Sequence, residues 1–341
     1  MGCTVAGDRG GGRWNELPQG VARVGGIRNH GRMDVTEWLL DSDPSIRWQV
    51  MRDLLGEPGD AVEAERSRVA REGWGARLLG LQADDGYWGG DEYGENGDRR
   101  GTHWTLHLLR RLGAEPDDPA VRAAVARVRE GVVWKWFDHR GYFHGEVEEC
   151  VNGGVLAIAA YFGELGEGSE GIIARLLDER LDDGGWNCER ESGSTRSSFD
   201  STICVLEGLL AYERAVGSAM EPAITEARRS GEEYLLERSL FRRRSTGEIV
   251  LPRYANLSFP PYWFYDVLRA LDYFREAGDA PDSRIADAID LLLGKRADDG
   301  RWLAGVPWRG EVFFAVDAPE GEPSRWNTLR ALRVLRWAGA E

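Results

Sequence analysis

Two kinds of stretch alternate along the chain. Some are apolar on nearly all sides, and others place apolar residues on one face and charges on the opposite face. A helix of the first kind is buried, whereas an amphipathic helix packs against a core with one face. The apolar stretches are residues 102–112, 150–162, 199–213, 262–274 and 325–337, and amphipathic ones such as 119–129 and 283–293 lie between them. This pattern predicts an all-α domain in which outer helices cover inner ones.

Turns of similar sequence separate these stretches. Residues 84–88, 182–186 and 298–302 each have the sequence Asp-Asp-Gly-x-Trp, and weaker copies lie at 141–143 and 247–249. Aspartate side chains accept hydrogen bonds in turns, glycine adopts positive φ, and a large ring fills the gap between neighbouring helices. Because the turns recur about once per helix hairpin, they predict a repeat fold.

The number of helix hairpins bears on whether the repeats form a closed ring or an open array. Residues 35–40 and 44–55 form a further outer and inner pair, which brings the total to six of each. Six pairs favour a closed (α/α)6 toroid over residues 33–341, because closure removes the exposed ends that an open solenoid must cap. An open helical array of the HEAT type is the alternative. Residues 1–32, which are rich in glycine and arginine, are expected to be a disordered extension or a misassigned start.

The Asp-Asp-Gly-x-Trp turns resemble degenerate QW motifs of squalene–hopene cyclases and the glycine-rich repeats of protein prenyltransferase β subunits. The resemblance spans residues 33–341 and implies the terpenoid cyclase and prenyltransferase superfamily. The chain departs from that pattern, since it lacks the Asp-x-Asp-Asp motif with which class II cyclases protonate their substrate. Asp41-Ser42-Asp43 is followed by Pro44 and is better interpreted as a helix cap. An Asp-Asp-x-x-Asp motif is also missing, and the chain has residues for one toroid rather than two.

The net charge of the chain limits the kinds of macromolecule that it is expected to bind. The 58 acidic residues outnumber the 43 basic ones, for a formal net charge of −15. Nucleic acids and anionic membrane surfaces attract basic proteins, so neither is expected as the main partner. The sequence has no apolar run of 18 residues and no secretory signal in residues 1–32, which predicts a cytoplasmic protein without a membrane span.

The mouth formed by the N-termini of the inner helices is the expected site, because helix N-termini and a concave surface favour ligand binding. Aromatic and basic residues near these termini are the candidates for substrate binding: Arg47, Trp48, Trp104, Tyr262, Trp263, Arg325 and Trp326. Four further residues at the same mouth are the candidates for catalysis: Asp200, His103, Tyr265 and Asp266.

The family resemblance also implies a metal site. Protein prenyltransferase β subunits hold zinc with an Asp-x-Cys at the start of one inner helix and a histidine at the start of the next. Glu148-Glu149-Cys150 resembles the first element, and residues 198–209 resemble the second with Asp200 in place of the histidine. With Cys188 on the turn between them, the implied zinc ligands are Cys150, Cys188, Asp200 and Glu148. The alternative is that both cysteines are ordinary core residues.

Three classes of function remain open. The resemblance and the aromatic mouth favour a transferase or cyclase that acts on an isoprenoid or other apolar small molecule, is zinc-dependent, and works with or without a partner subunit. A carbohydrate-active (α/α)6-barrel enzyme would use tryptophan platforms and paired carboxylates, with Asp200, Glu207 and Asp266 as candidates. A non-catalytic binding module is the third class, because fold alone does not determine function.

Overall fold

The computed structural model describes residues 34–94, 97–217 and 221–341, so the extension predicted for residues 1–32 lies outside the described residues. The described chain is mostly α-helical, as the hydrophobic pattern predicts. A short antiparallel pair joins β1 (Val133–Trp134) to β2 (Arg140–Gly141). The helices are α1 (Val35–Leu40), α2 (Pro44–Val50), α3 (Gly59–Arg66), α4 (Gly73–Leu79), α5 (Thr102–Leu112), α6 (Pro119–Gly131), α7 (Glu149–Phe162), α8 (Glu167–Asp178), α9 (Phe199–Val216), α10 (Pro222–Leu236), α11 (Val267–Ala277), α12 (Ala286–Gly294) and α13 (Arg325–Ala338).

The helices predicted to lie inside are the most buried. Every residue of α7 from Glu149 to Ala159 is buried, whereas α6 buries only one face. Close packing of α7 against α9 depends on glycine. A Cβ on Gly153 would lie 2.5 Å from the carbonyl oxygen of Cys204, and one on Gly208 would lie 2.4 Å from that of Gly153. The two backbones therefore approach at a distance that excludes any larger side chain.

The three Asp-Asp-Gly-x-Trp segments form the same turn. Their glycines have φ between +82° and +100°, a region that L side chains rarely adopt. Each tryptophan is completely buried, and its indole nitrogen donates to a leucine carbonyl ten residues earlier over 2.7–2.8 Å. Its backbone N–H donates to a threonine hydroxyl on the next inner helix over 3.0–3.1 Å. The ring thus ties the end of one helix to the start of another, as the turn pattern predicts.

The last helix contacts the first pair. The Arg325 guanidinium donates to the carbonyl oxygens of Trp38 and Asp41, and Arg333 donates to the side chain of Gln49 over 3.0 Å. Arg336 donates to the carbonyl of Leu54, in the π-helical turn Met51–Leu55 that extends α2. Hydrogen bonds between α13 and α1–α2 therefore join residues about 280 positions apart in the chain.

One predicted inner helix begins later than expected. The apolar stretch 262–274 predicts a helix from Tyr262, but α11 begins at Val267 with Asp266 as its N-cap. Pro260 and Pro261 precede it, and Tyr262 has a φ of +51°, which is incompatible with a right-handed helix. Tyr262, Trp263 and Tyr265 consequently lie on an irregular segment rather than on the helix. Among the described residues, no helix combines the length and apolar character needed to cross a membrane.

Candidate functional site

A cavity of about 400 Å³ lies between Leu78, the first turns of α5 and the segments around residues 258–262 and 307–318; we call it the aromatic cavity. Its volume falls in the range of roughly 300–1,000 Å³ that is typical of small-molecule sites. The rings on its wall are those of Trp104, Phe259, Tyr262, Trp308, Phe313 and Phe314. This wall suits a mainly apolar ligand.

Two residues predicted to bind substrate lie on this wall. Trp104 and Tyr262 meet edge to face with their ring centroids 5.5 Å apart. The guanidinium of Arg99 lies 5.4 Å from the centroid of Trp104 and 5.0 Å from that of Tyr262. The cavity is thus apolar along most of its wall and has a cation beside the Trp104–Tyr262 pair.

Asp317 is the carboxyl group on the wall of the aromatic cavity, and it was not among the residues predicted from the sequence. Its oxygens accept hydrogen bonds from the backbone N–H of Ala318 at 2.9 Å and from the hydroxyl of Ser324 at 2.8 Å. Burial nevertheless raises the pKa of Asp317 to about 6. A carboxyl group with this pKa is partly protonated near neutral pH, so it can donate a proton inside the cavity.

The structure brings together three of the four residues predicted to bind zinc. Glu148, Cys150 and Cys188 each offer a ligand atom, and these atoms lie within 4.8 Å of one another. The sulfur of Cys188 accepts hydrogen bonds from the backbone N–H of Cys150 and from the hydroxyl of Ser201, both at 3.3 Å. Two sulfurs and a carboxylate in this arrangement suit Zn²⁺.

Asp200 does not join this group, contrary to the predicted ligand set. Its carboxylate accepts both ends of the Arg253 guanidinium, at 2.9 Å and 2.7 Å, and the backbone N–H of Tyr265 at 2.7 Å. The Tyr254 hydroxyl donates to it as well, over 3.3 Å. Because Asp200 is directed toward the segment before α11, its oxygens bind an arginine rather than a metal.

His103 is buried rather than placed on a large cavity. Its Nδ1 lies 3.0 Å from the Tyr142 hydroxyl, and its ring packs edge to face on His107 with centroids 4.7 Å apart. The space that the two histidines share with Trp263 is only about 10 Å³. Burial lowers the pKa of His103 to about 3, so its imidazole is neutral at neutral pH. A substrate does not fit beside His103 in this arrangement.

The two other predicted catalytic residues have structural contacts. The Tyr265 hydroxyl donates to the carbonyl of Leu240, and its ring is fully buried. Asp266 caps α11 by accepting the backbone N–H of Arg269 at 2.8 Å. Neither residue reaches the aromatic cavity.

Two predicted substrate-binding arginines lie away from the aromatic cavity. Arg47 is paired with Glu65 at 2.6 Å and donates to the carbonyl of Ser42. Arg325 stacks on the ring of Trp38, 4.7 Å from its centroid, while it joins α13 to α1. Both arginines therefore tie neighbouring elements together.

A second cavity, of about 670 Å³, is lined by seven helices: α2 with its π-helical turn, α3, α5, α7, α9, α11 and α13. It contains nine arginines and four carboxylates, so we call it the arginine cavity. Trp48 and Trp326, which were predicted to bind substrate, lie on its wall. Phe259 stacks on Trp326 with centroids 4.0 Å apart and lines both large cavities.

The arginine cavity was not predicted from the sequence. Most of the arginines lie toward the C-termini of their helices, whereas the site was expected at the N-termini. An arginine in the middle of a buried helix is costly without a partner, and its recurrence in α5, α9, α11 and α13 was the available signal.

Comparisons with known proteins find only remote similarity to solved structures. No family model matches the chain, and no curated protein matches it. A protein from Actinoplanes of known crystal structure is 18% identical, with 87% of this chain and 90% of that chain covered and a TM-score of 0.41. The type II terpene cyclase MstE from Scytonema is 16% identical, with 88% of each chain covered and a TM-score of 0.41.

A structure of MstE in complex with geranylgeranyl dihydroxybenzoate, its substrate, is likewise 16% identical, with a TM-score of 0.40 and 88% of each chain covered. The solved structures to which this chain is similar thus include type II terpene cyclases. Since the TM-scores are near 0.4, this likeness determines neither the reaction nor the substrate of the chain.

Proposed function

We propose that this chain is an enzyme of the terpenoid cyclase and prenyltransferase kind that acts on an isoprenoid or other apolar small molecule in the aromatic cavity. The observation that carries the proposal is a carboxyl group with a raised pKa, Asp317, on a largely apolar wall that contains six aromatic rings. Such a wall excludes water from an apolar chain, and a protonated carboxyl group can donate its proton to a carbon–carbon double bond.

In this proposal the proton moves from the carboxyl oxygen of Asp317 to one alkene carbon of the substrate, which leaves a carboxylate and a carbocation. The Asp317 carboxylate then accepts a proton from a neighbouring carbon of the cation, which forms the double bond at a new position and restores the protonated carboxyl group. Ser324 and the N–H of Ala318 stabilise the carboxylate through their hydrogen bonds. Trp104 and Tyr262 form the part of the wall that positions the chain.

We infer that the helices close into an (α/α)6 toroid, because α13 bonds to α1–α2 and helices from both ends of the chain line one cavity. A cytoplasmic location and a possible requirement for a partner subunit stay predictions from the sequence. No arrangement favours the carbohydrate-active alternative among the described residues. Asp200 and Glu207 are each paired with arginines, and Asp266 caps a helix.

The first prediction tests Asp317. We expect Asp317→Asn to lower conversion of a neutral polyprenol such as geranylgeraniol by about 100-fold or more, because general acid catalysis contributes 10²–10⁴-fold. Conversion by the wild type should fall as pH rises through about 6, since the protonated carboxyl group is the active form. Gas chromatography with mass detection measures the products across pH 5–8. Quenching of tryptophan fluorescence measures polyprenol binding.

The matched control for this test is Asp298→Asn, because Asp298 is exposed on a turn outside the cavity. It should convert polyprenol as the wild type does, and Asp317→Asn should retain polyprenol binding within about twofold. Equal conversion by wild type and Asp317→Asn would remove Asp317 from the reaction. Absence of polyprenol binding to the wild type would reject the proposed substrate class.

We also propose that Glu148, Cys150 and Cys188 hold a zinc ion. Three protein ligands leave the fourth tetrahedral position to water or substrate, as in catalytic zinc sites. When bound, zinc would acidify that water or polarise a carbonyl group. The residues themselves supply two thiolates and a carboxylate, and Ser201 with the N–H of Cys150 stabilises negative charge on the sulfur of Cys188.

The second prediction is the metal content. Purified protein should contain about one zinc per chain by inductively coupled plasma mass spectrometry, and both Cys150→Ser and Cys188→Ser should lose it. Cys204→Ser is the control, because Cys204 is a buried thiol that donates to the Trp263 carbonyl and lies outside the ligand group. Wild-type protein that is prepared without chelator and contains no zinc would reduce Cys150 and Cys188 to core residues.

A further inference from the structure

The side chains that line the arginine cavity carry a net positive charge, whereas the net charge of the whole chain is negative. The chain has a formal net charge of −15, yet nine arginines and only four carboxylates line this space, an excess of five positive charges. Placing uncompensated charge inside a protein is costly, so buried ions are normally paired or bound to a ligand. The distribution of pairs within the cavity therefore indicates whether its charges are satisfied.

Glu207 is shared by three of the arginines. The Arg269 and Arg111 guanidinium groups lie 2.8 Å and 2.9 Å from its oxygens, and Arg110 lies at 3.5 Å. One carboxylate cannot neutralise three guanidinium groups. The Nε of Arg110 is buried and has no hydrogen-bond partner among the described residues. The Nε–H of Arg110 is therefore a buried donor that Glu207 does not satisfy.

Asp272 is likewise shared by three arginines of the cavity. Arg333 and Arg275 bind it closely, while the Nε of Arg330 lies 3.5 Å from its nearer oxygen. Arg330 is only 3% exposed, and its Nη1 has no hydrogen-bond partner among the described residues. Burial lowers the pKa of Arg330, as expected for a guanidinium whose charge is incompletely compensated. A buried donor without a partner is rare in native proteins and indicates a missing acceptor.

Two further arginines of the cavity have no carboxylate within 4.0 Å among the described residues. Arg66 donates to the carbonyl of Gly113 and the hydroxyl of Tyr161, both at 3.0 Å, and Arg214 donates to the carbonyl of Glu276. These contacts hold the guanidinium groups in place without an opposing carboxylate; Arg66 is partly buried, whereas Arg214 is exposed to solvent. Arg66 lies beside the Trp48 ring, 5.2 Å from its centroid.

From this arrangement we propose that the arginine cavity binds a small molecule with a diphosphate or similar polyphosphate group. Guanidinium forks match phosphate oxygens in two-pronged hydrogen bonds, and an excess of five charges calls for a multivalent anion. Arg110 and Arg330 supply the buried donors, and Arg66 and Arg214 supply unopposed charge. The rings of Trp48 and Tyr161 offer a surface for the organic part of the ligand. The inference rests on the cavity charges alone and is independent of the reaction proposed for the aromatic cavity.

The third prediction tests this site with inorganic pyrophosphate as the probe. We expect saturable binding in isothermal titration calorimetry at constant ionic strength without divalent metal, and binding at least tenfold weaker for inorganic phosphate and for citrate. Arg66→Gln/Arg214→Gln should weaken pyrophosphate binding tenfold or more. Neither substitution leaves a carboxylate unpaired, so the variant is expected to fold, which circular dichroism checks.

Arg71→Gln/Arg244→Gln is the control, because it removes the same charge from two arginines that are two-thirds exposed and lie outside the cavity. Pyrophosphate binding by the control should stay within twofold of wild type. If the cavity double variant does not fold, Arg214→Gln alone, at the exposed end of α9, should weaken binding at least threefold. Three results would overturn the proposal: no saturable binding of pyrophosphate, equal loss in the control, or citrate binding as tight as pyrophosphate binding.

Discussion

Replacing Trp186 by alanine is expected to lower the free energy of unfolding by about 4 kcal/mol, because large-to-small changes of buried tryptophan remove contacts and leave a cavity. The ring of Trp186 is completely buried, and its indole nitrogen donates to the Leu176 carbonyl over 2.7 Å. Alanine would leave that carbonyl without its donor. It would also remove the ring that packs against Gly231 of α10, where an added Cβ would lie 2.8 Å from the ring.

Urea unfolding followed by circular dichroism measures the effect. Trp136→Ala is the control, because the Trp136 side chain is 67% exposed, and it should change the free energy of unfolding by less than about 0.5 kcal/mol. Trp186→Phe should fall between the two, since it keeps most of the packing and loses the hydrogen bond. A loss below about 1 kcal/mol for Trp186→Ala would contradict the role of the turn tryptophans as ties between hairpins.

The second large effect is expected at Glu207. We predict that Glu207→Gln lowers the free energy of unfolding by about 3–5 kcal/mol, because removing one partner of a buried ion pair leaves the other charge uncompensated. Here three guanidinium groups, those of Arg110, Arg111 and Arg269, lose their shared carboxylate. The amide of glutamine has nearly the same shape, so the loss reports charge rather than packing.

The pH dependence follows from the same contacts. Burial by itself would raise the pKa of Glu207, but Arg111 and Arg269 outweigh it and hold the pKa well below its usual range. A depressed pKa stabilises the fold above the unfolded-state pKa of about 4.3, and this stabilisation is lost as pH falls below it. Wild-type stability should therefore decline more steeply than that of Glu207→Gln between about pH 4.5 and pH 2.

Thermal and urea unfolding of wild type and Glu207→Gln at pH 7 and pH 3 measure both the loss of stability and its dependence on pH. Glu226→Gln is the control, because Glu226 is largely exposed and makes one long pair with Arg180; it should change stability by less than about 0.5 kcal/mol. If Glu207→Gln is as stable as wild type at pH 7, the three arginines do not depend on Glu207 for compensation.

Local features of the fold could be predicted from the sequence because short-range physical rules determine them. The stretch 102–112 coincides with α5, since its apolar residues have the helical period and Gly113 ends it in the left-handed region. In the Asp-Asp-Gly-x-Trp turns, the glycines have positive φ and the tryptophans are buried, as their residue types predict. The start of α11 was predicted five residues early, because an apolar pattern continues through Tyr262 and Trp263 although the backbone there is not helical.

The candidate sites could be predicted only in part. Trp104 and Tyr262 were expected to bind substrate and do lie on the aromatic cavity. Sequence neighbourhood also brought Glu148 and Cys150 to the start of one helix, and the turn brought Cys188 beside them. Asp200 has the right position along its helix but the wrong partner, since Arg253 lies more than 50 residues away in sequence.

Residue types, helical period and turn chemistry by themselves determine most of the helices and the Asp-Asp-Gly-x-Trp turns of this protein, because each depends on neighbours a few residues away. Which arginines share Glu207, and which carboxyl group lies in the aromatic cavity, depend on how distant helices rotate and pack against one another. Only the tertiary structure decides those contacts, because a charge in an apolar helix has the same sequence pattern whether it faces a cavity, a partner or water.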